Sequence, residues 1–385
     1  MDLRTGIGIW ASRHMSPKMA TEAAAGIEAT GVVDQFVLWD QLTNWWPQAL
    51  WEPTVTGLAE LVPDVDSLQD PFLTAAFGLA GVERTGVAVC TDAVRREPAE
   101  LAQTMLTLAM ATEGRTTLCL GAGEVRHIGP FGRKRSIGLN RLEEALQVIR
   151  LLLTERQPVN FDGAIWKLRD AWLGNAGKDR RPEIIAMGGG PRLIDMALRY
   201  ADGFATGVPF VYADPERYGE TLRECRQRLA DHGRDPDNFV FGLHHIIFLC
   251  ENRDEFEQYV DHPLMKWYAA TGGRIDQNDW DAEGIEPVMP RDWHYALHMR
   301  PAAMPRQEID EIIARVTPEM VRKTFFYGTP AEIAAQIRPY AEQGADLHLI
   351  ADISPLMIMT DPKLWLDRYA DVCRLVKAKP PQRRP

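Results

Sequence analysis

The sequence predicts an α/β fold, a (β/α)8 TIM barrel with insertions, on three observations. Short β-rich apolar runs alternate with longer helical stretches, the pattern of a parallel sheet joined by right-handed crossovers. The runs number eight, the count that closes a barrel, whereas doubly wound open sheets use about five or six strands. No dinucleotide-binding GxGxxG precedes the strand at Thr85, which weakens the open-sheet reading further.

Arg4 to Trp10 (RTGIGIW) predicts the first strand, and Pro17 to Gly31 its helix, ended by glycine. Gln35 to Trp39 is the second strand; an irregular stretch with Trp45, Trp46 and Trp51 leads to a helix over Asp70 to Gly81. Thr85 to Thr91 is the third strand, followed by a helix from Pro98, at its first turn, to Thr112. Thr116 to Leu120 is the fourth, and Leu139 to Thr154 an amphipathic helix. Glu183 to Met187 with Pro191 to Tyr200, then Gly203 to Gly207 with Pro215 to His232, form the fifth and sixth pairs. Phe239 to Cys250 is the seventh run, with a helix beginning at Asp254. Thr329 caps a helix that runs to Gln343, Asp346 to Ala351 is the eighth strand, and Pro362 to Lys377 the last helix. A single barrel domain over residues 1–378 is expected, with insertions near 42–70 and 272–306 and a disordered tail at 379–385.

The 385 residues are 45% apolar and 25% charged, the balance of a globular protein. The net charge of −11 argues against general binding to a phosphate backbone, so no nucleic-acid partner is expected. Five scattered cysteines, with no CxxC, point to buried thiols in a reducing cytoplasm rather than a disulfide framework or zinc site. No signal-peptide layout and no apolar run of membrane-spanning length occur.

In such a barrel the site lies at the C-terminal ends of the strands. Gly188-Gly189-Gly190-Pro191, between the fifth strand and its helix, allows a ligand to approach backbone closely and offers helix-start amides to a phosphate; a plain turn is the competing reading. Gly121-Ala122-Gly123-Glu124 leaves room for a flat ring and sets a carboxyl at the barrel mouth, where burial would move it into the acid/base range. Trp10, Trp39, Trp45, Trp46 and Trp51 suggest an aromatic-walled pocket for a flat or apolar ligand. His244 and His245 point to opposite faces of their strand, so they share no metal, and no metal site is expected.

Several segments together resemble the luciferase-like oxidoreductases. They are LCLGAGE (118–124), PFG (130–132), RLEEALQVIRLLL (141–153), FDG (161–163), PEIIAMGGGP (182–191), ALRYADGFATG (197–207), REPAELAQTMLTL (96–108) and YGTPAEIAAQI (327–337). LAELVPDVD (58–66) and TDAVRREP (91–98) are most similar to the phthiodiolone ketoreductases of the coenzyme F420-dependent branch. The resemblance implies an eight-stranded barrel, hydride exchange at the deazaflavin C5 of F420 with a bound substrate, and a homodimer; the aromatic mouth and acidic charge point to a small apolar carbonyl, alcohol or activated double bond as that substrate. It implies that Asp40, Gly121, Ala122, Gly123 and Met187 through Pro191 (Gly188, Gly189, Gly190) border the cofactor, with a non-prolyl cis peptide at Ala88-Val89 behind its ring. It marks Trp45 and Glu124 as catalytic. Gln41 stands where the family has its proton-transferring histidine. Glutamine hydrogen-bonds an oxygen but exchanges no proton near neutrality, which leaves Glu124, His127 or water for that role. An FMN-dependent monooxygenase of the same fold is the alternative, and a non-catalytic cofactor-binding protein a third reading.

Overall fold

A computed structural model describes residues 2–378; the tail expected to be disordered lies outside them. Eight parallel strands close on themselves in the order β7-β8-β1-β2-β3-β4-β5-β6, with β6 paired back to β7. They are β1 (Arg4–Gly8), β2 (Gln35–Trp39), β3 (Gly86–Asp92), β4 (Thr116–Gly121), β5 (Glu183–Met187), β6 (Gly203–Val208), β7 (Val240–Leu249) and β8 (Leu347–Asp352). Eight helices wrap them: α1 (Met19–Ala29), α2 (Pro71–Leu79), α3 (Pro98–Ala111), α4 (Gly138–Thr154), α5 (Pro191–Tyr200), α6 (Pro215–Asp231), α7 (Pro330–Glu342) and α8 (Pro362–Lys377). The fold is the (β/α)8 barrel that the alternation predicts.

Alternation of side chains along each strand divides the core. Val37, Ala88, Cys119, Ile185, Ala205 and Leu349 fill the barrel interior, while Phe36, Val87, Leu118, Ile184, Phe204 and Ile350 pack against the helices. The floor is polar and self-satisfied: Arg4 bonds Glu183 at 3.0 Å, and Gln35 donates to Thr117 at 2.9 Å. All five cysteines are buried thiols.

Departures from the sequence reading concentrate at the C-terminal rim. β1 ends at Gly8 rather than Trp10, because Ser12 bridges to Leu68 and draws the chain off toward residues 42–70. That stretch carries a short helix, Leu58–Leu61. After β7 come a helix over Pro263–Gly272, which the sequence reading missed, and further short helices at Asn278–Ala282, Tyr295–His298, Arg306–Ile313 and Pro318–Thr324. The two stretches share one core: Trp46, Leu50 and Trp51 pack with Leu264, Met265, Trp267 and Trp280. A hairpin, Val159–Asp162 with Lys167–Ala171, was also missed; its exposed alternating face carries little apolar signal.

Candidate active site

The strand ends open into a cavity of about 1750 Å³, larger than most small-ligand sites. Its floor is set by ring packing. Trp39 of β2 and Phe210 lie against His244 of β7, with centroids 5.6 and 6.2 Å away. Gly207 makes room for this: a Cβ there would lie 1.7 Å from the Phe210 ring. Burial pushes His244 down to about 4, so it is a neutral imidazole at the base of the cavity, and its Nε2 has no partner among the described residues. His245 turns outward to bond His348 at 2.8 Å.

All five tryptophans singled out in the sequence line the cavity. Trp45 is the most constrained. Its Nε1 donates to Thr271 at 3.0 Å, Tyr295 and Tyr268 lie 4.9 and 5.3 Å from its ring, and Arg126 sits over it at 5.2 Å. Tyr268, Thr271 and Tyr295 come from the region after β7 and were missed in the sequence.

Opposite, the β5 loop has the features that a phosphate requires. Gly188 N–H is taken by Ala205 at 2.9 Å, but the amides of Gly189 and Gly190 have no acceptor among the described residues, and Gly190, which precedes α5, gives it no side-chain cap. Beside them the buried Thr206 Oγ1 is also without a partner among the described residues; it lies 3.8 Å from where a Cβ on Gly189 would stand. A buried hydroxyl without a partner is uncommon, and Thr206 beside the half-buried Gly189 and exposed Gly190 amides gives a set of donors that fits an anionic oxygen group. Arg192, Arg217 and Arg228 line the same end, each held by a carboxylate. Met187, Gly188 to Pro191 and Gly121 to Gly123 all border the cavity. Gly123 holds φ +83°, a conformation that favours glycine, and turns Glu124 toward the mouth. The donor set fits the phosphate shared by F420 and FMN.

One expectation fails. The Ala88-Val89 peptide is trans, and the cis bond among the described residues is Val208-Pro209. Ala88 and Val89 sit in the middle of β3, paired in register with Val37 and Leu38 on one side and Thr117 and Leu118 on the other. A continuous ladder on both flanks demands trans peptides. Neither residue reaches the cavity; Cys90 and Thr91, one step along, do.

The polar residues differ in how free they are. Asp40 is deeply buried, accepting from Thr91 at 2.6 Å, Arg95 at 3.1 Å and Arg96 at 2.8 Å. Burial alone would raise its pKa, but the Arg96 hydrogen bond and the Arg95 and Arg96 charges prevail and hold the carboxyl below its ordinary range. His127 Nδ1 accepts from the Leu42 and Thr43 amides at 3.3 and 3.4 Å, and burial with the Arg126 and Arg95 charges holds it well below the usual histidine range. Its role in the structure is to fix the loop that follows Gln41. Glu124 Oε2 accepts from Arg126 at 2.6 Å and lies 3.8 Å from His127 Nε2. The carboxyl is therefore partnered by a guanidinium, not isolated in apolar surroundings. Gln41 faces the cavity with no hydrogen bond among the described residues, so its amide is free for a ligand.

Comparison with known proteins agrees with this geometry. The sequence pattern of the family described as luciferase-like monooxygenase matches residues 16–347. The phthiodiolone/phenolphthiodiolone dimycocerosates ketoreductase of Mycobacterium kansasii is 29% identical over 345 residues, 88% of this chain and 92% of that protein. That of Mycobacterium sp. strain JLS is 31% identical over 337 residues, 86% and 87% of the two. Among solved structures, an F420-dependent secondary alcohol dehydrogenase in complex with an F420-acetone adduct superposes with a TM-score of 0.70 at 19% identity, over 98% of this chain and 99% of the other. No helix among the described residues is long and apolar enough to cross a membrane.

Proposed function

The chain belongs to the luciferase-like monooxygenase family, and from that premise we propose that it is an F420-dependent oxidoreductase acting on an apolar carbonyl, alcohol or activated double bond. The observation that carries the reading is the polarity of this cavity. Uncommitted amides and Thr206 stand at the β5–β6 end, and a tryptophan-walled mouth stands at the other. A phosphate-bearing ring cofactor anchored at the first end would present its ring to an apolar substrate at the second. The names of the relatives, a ketoreductase and an F420-dependent alcohol dehydrogenase, support a carbonyl/alcohol couple.

Reduced F420, when bound, supplies a hydride from its deazaflavin C5. The chain's own residues do the rest. Gly189, Gly190 and Thr206 hold the phosphate. Gln41 donates its amide to the substrate oxygen, which orients the carbonyl but delivers no proton. The aromatic walls exclude water, so each charge in the site acts in a low-dielectric setting. Glu124, coupled to Arg126, is the ionisable group through which protons are exchanged with solvent.

Tryptophan quenching, titrated with F420 and separately with FMN, tests the cofactor. Tight F420 and weak FMN binding are expected. The reverse, with oxygen consumption, would replace the reading by an FMN-dependent monooxygenase. Glu124→Gln is expected to slow turnover by about 100-fold with F420 affinity nearly unchanged; equal loss of both would remove Glu124 from the proton path.

A further inference from the structure

Reduction of a carbonyl by hydride needs a proton at oxygen, and most polar groups in the cavity wall are already committed. Thr91 donates to Asp40 at 2.6 Å, and both Asp40 oxygens are occupied. Trp45 Nε1 donates to Thr271. His127 accepts through Nδ1, so as a neutral ring it carries its proton on Nε2, toward Glu124. Glu124 Oε2 is held by Arg126, and Gln41 has no acidic proton. His244 is a neutral imidazole closed in at the base between Trp39 and Phe210, and Tyr212 packs away against Tyr218 at 5.6 Å. Of the cavity phenols that leaves Tyr268 and Tyr295, neither of whose hydroxyls makes a hydrogen bond among the described residues.

Tyr295 is the better placed of the two. It opens the short helix Tyr295–His298, which packs on the Val125–Ile128 helix directly after Glu124. Its ring is fixed between Trp45 at 4.9 Å and His294 at 5.1 Å. Two guanidinium groups act on it, Arg126 and Arg135. Arg135 is distinct among the cavity arginines: Arg95, Arg126, Arg192, Arg217 and Arg228 each bind a carboxylate. Arg135 makes no ion pair among the described residues, and its buried Nε has no partner. Its charge is therefore available to an anion formed during the reaction.

Resting on the carbonyl reading above, we propose that Tyr295 is the proton donor of the reaction. As hydride reaches the carbonyl carbon, the Tyr295 O–H bond breaks and its proton bonds to the substrate oxygen, giving the alcohol. The resulting phenolate lies beside Arg135 and Arg126 and regains a proton from solvent through Glu124. Alcohol oxidation is the same path reversed. Burial, reinforced by the Glu124 charge, pushes the resting phenol up, so the proton stays in place at neutral pH.

The test uses acetophenone as probe and begins with the cofactor-free protein, whose readout is the infrared carbonyl stretch. In the wild type the stretch is expected to move to lower wavenumber than in hexane. Tyr295→Phe, which keeps the ring stack, should leave only the smaller displacement due to Gln41, and Tyr268→Phe should keep the full one. In the F420-loaded enzyme, Tyr295→Phe should slow single-turnover oxidation of reduced F420 by about 100-fold, with unchanged F420 affinity. Failure of acetophenone to bind, an undisplaced stretch in the wild type, or a displacement that is undiminished in Tyr295→Phe would overturn the proposal. Failure of F420 to bind would instead overturn the cofactor reading, and the infrared arm would still decide Tyr295.

Discussion

At the scale of single residues, the site is defined as much by what its polar groups lack as by what they bind. Thr206 shows this most simply. Its hydroxyl is buried at the end of β6 with no partner among the described residues, a state that destabilises the fold by about 1–3 kcal/mol. Valine has the same shape without the hydroxyl. Thr206→Val is therefore expected to raise unfolding stability by about 1 kcal/mol while weakening cofactor binding by about tenfold. Urea denaturation and the quench titration would read the two effects. Loss of stability on substitution would mean that the hydroxyl already has a partner within the fold.

At the scale of elements, the helices that complete the barrel depend on local signals that the sequence states openly. Thr329 caps α7 in a reciprocal box: its hydroxyl accepts from the Glu332 amide at 3.3 Å, and Glu332 accepts from the Thr329 amide at 2.9 Å. Thr329→Ala should lower stability by about 1 kcal/mol and leave F420 affinity unchanged, since α7 lies outside the barrel wall; thermal unfolding checks the first and quenching the second. Such caps, the prolines at helix starts and the glycines after β4 and β5 were legible because each acts over a few residues. Tyr268 and Tyr295 were not. They meet Trp45 across more than two hundred residues, and nothing near them in sequence marks an inward face. Arg95 and Arg96 were not marked either: their role appears only when β2 and β3 bring Asp40 between them. The Ala88-Val89 expectation failed for the opposite reason: a resemblance placed a strained peptide where the strand's own two-sided ladder forbids one.

At the scale of the whole molecule, the barrel wall buries titratable groups whose balance sets the response to acid. Burial pushes both His244 and His348 down to about 4, whereas it pushes Asp346 up to about 6. The unfolded chain protonates its histidines near the ordinary value of about 6.5. Stability from the two neutral histidines is therefore present in full above that pH and is lost as pH falls toward 4. Asp346 has the opposite sign. Its folded value exceeds the unfolded one, so its contribution is present in acid and is lost as pH rises from about 4 to about 6. Each group is worth about 3 kcal/mol across its window. These three groups together leave a net loss of about 3 kcal/mol between pH 7 and pH 4.5, to which His245 and His127, held low by burial, add and which Asp352, pushed up by burial, opposes; the readout is a falling urea midpoint. Asp346→Asn removes the opposing contribution, so the fall should steepen. His348→Gln, with one histidine gone, should flatten it. A midpoint insensitive to pH in the wild type would mean that His244 and His348 accept protons without unfolding, and His244 would then place charge at the base of the cavity.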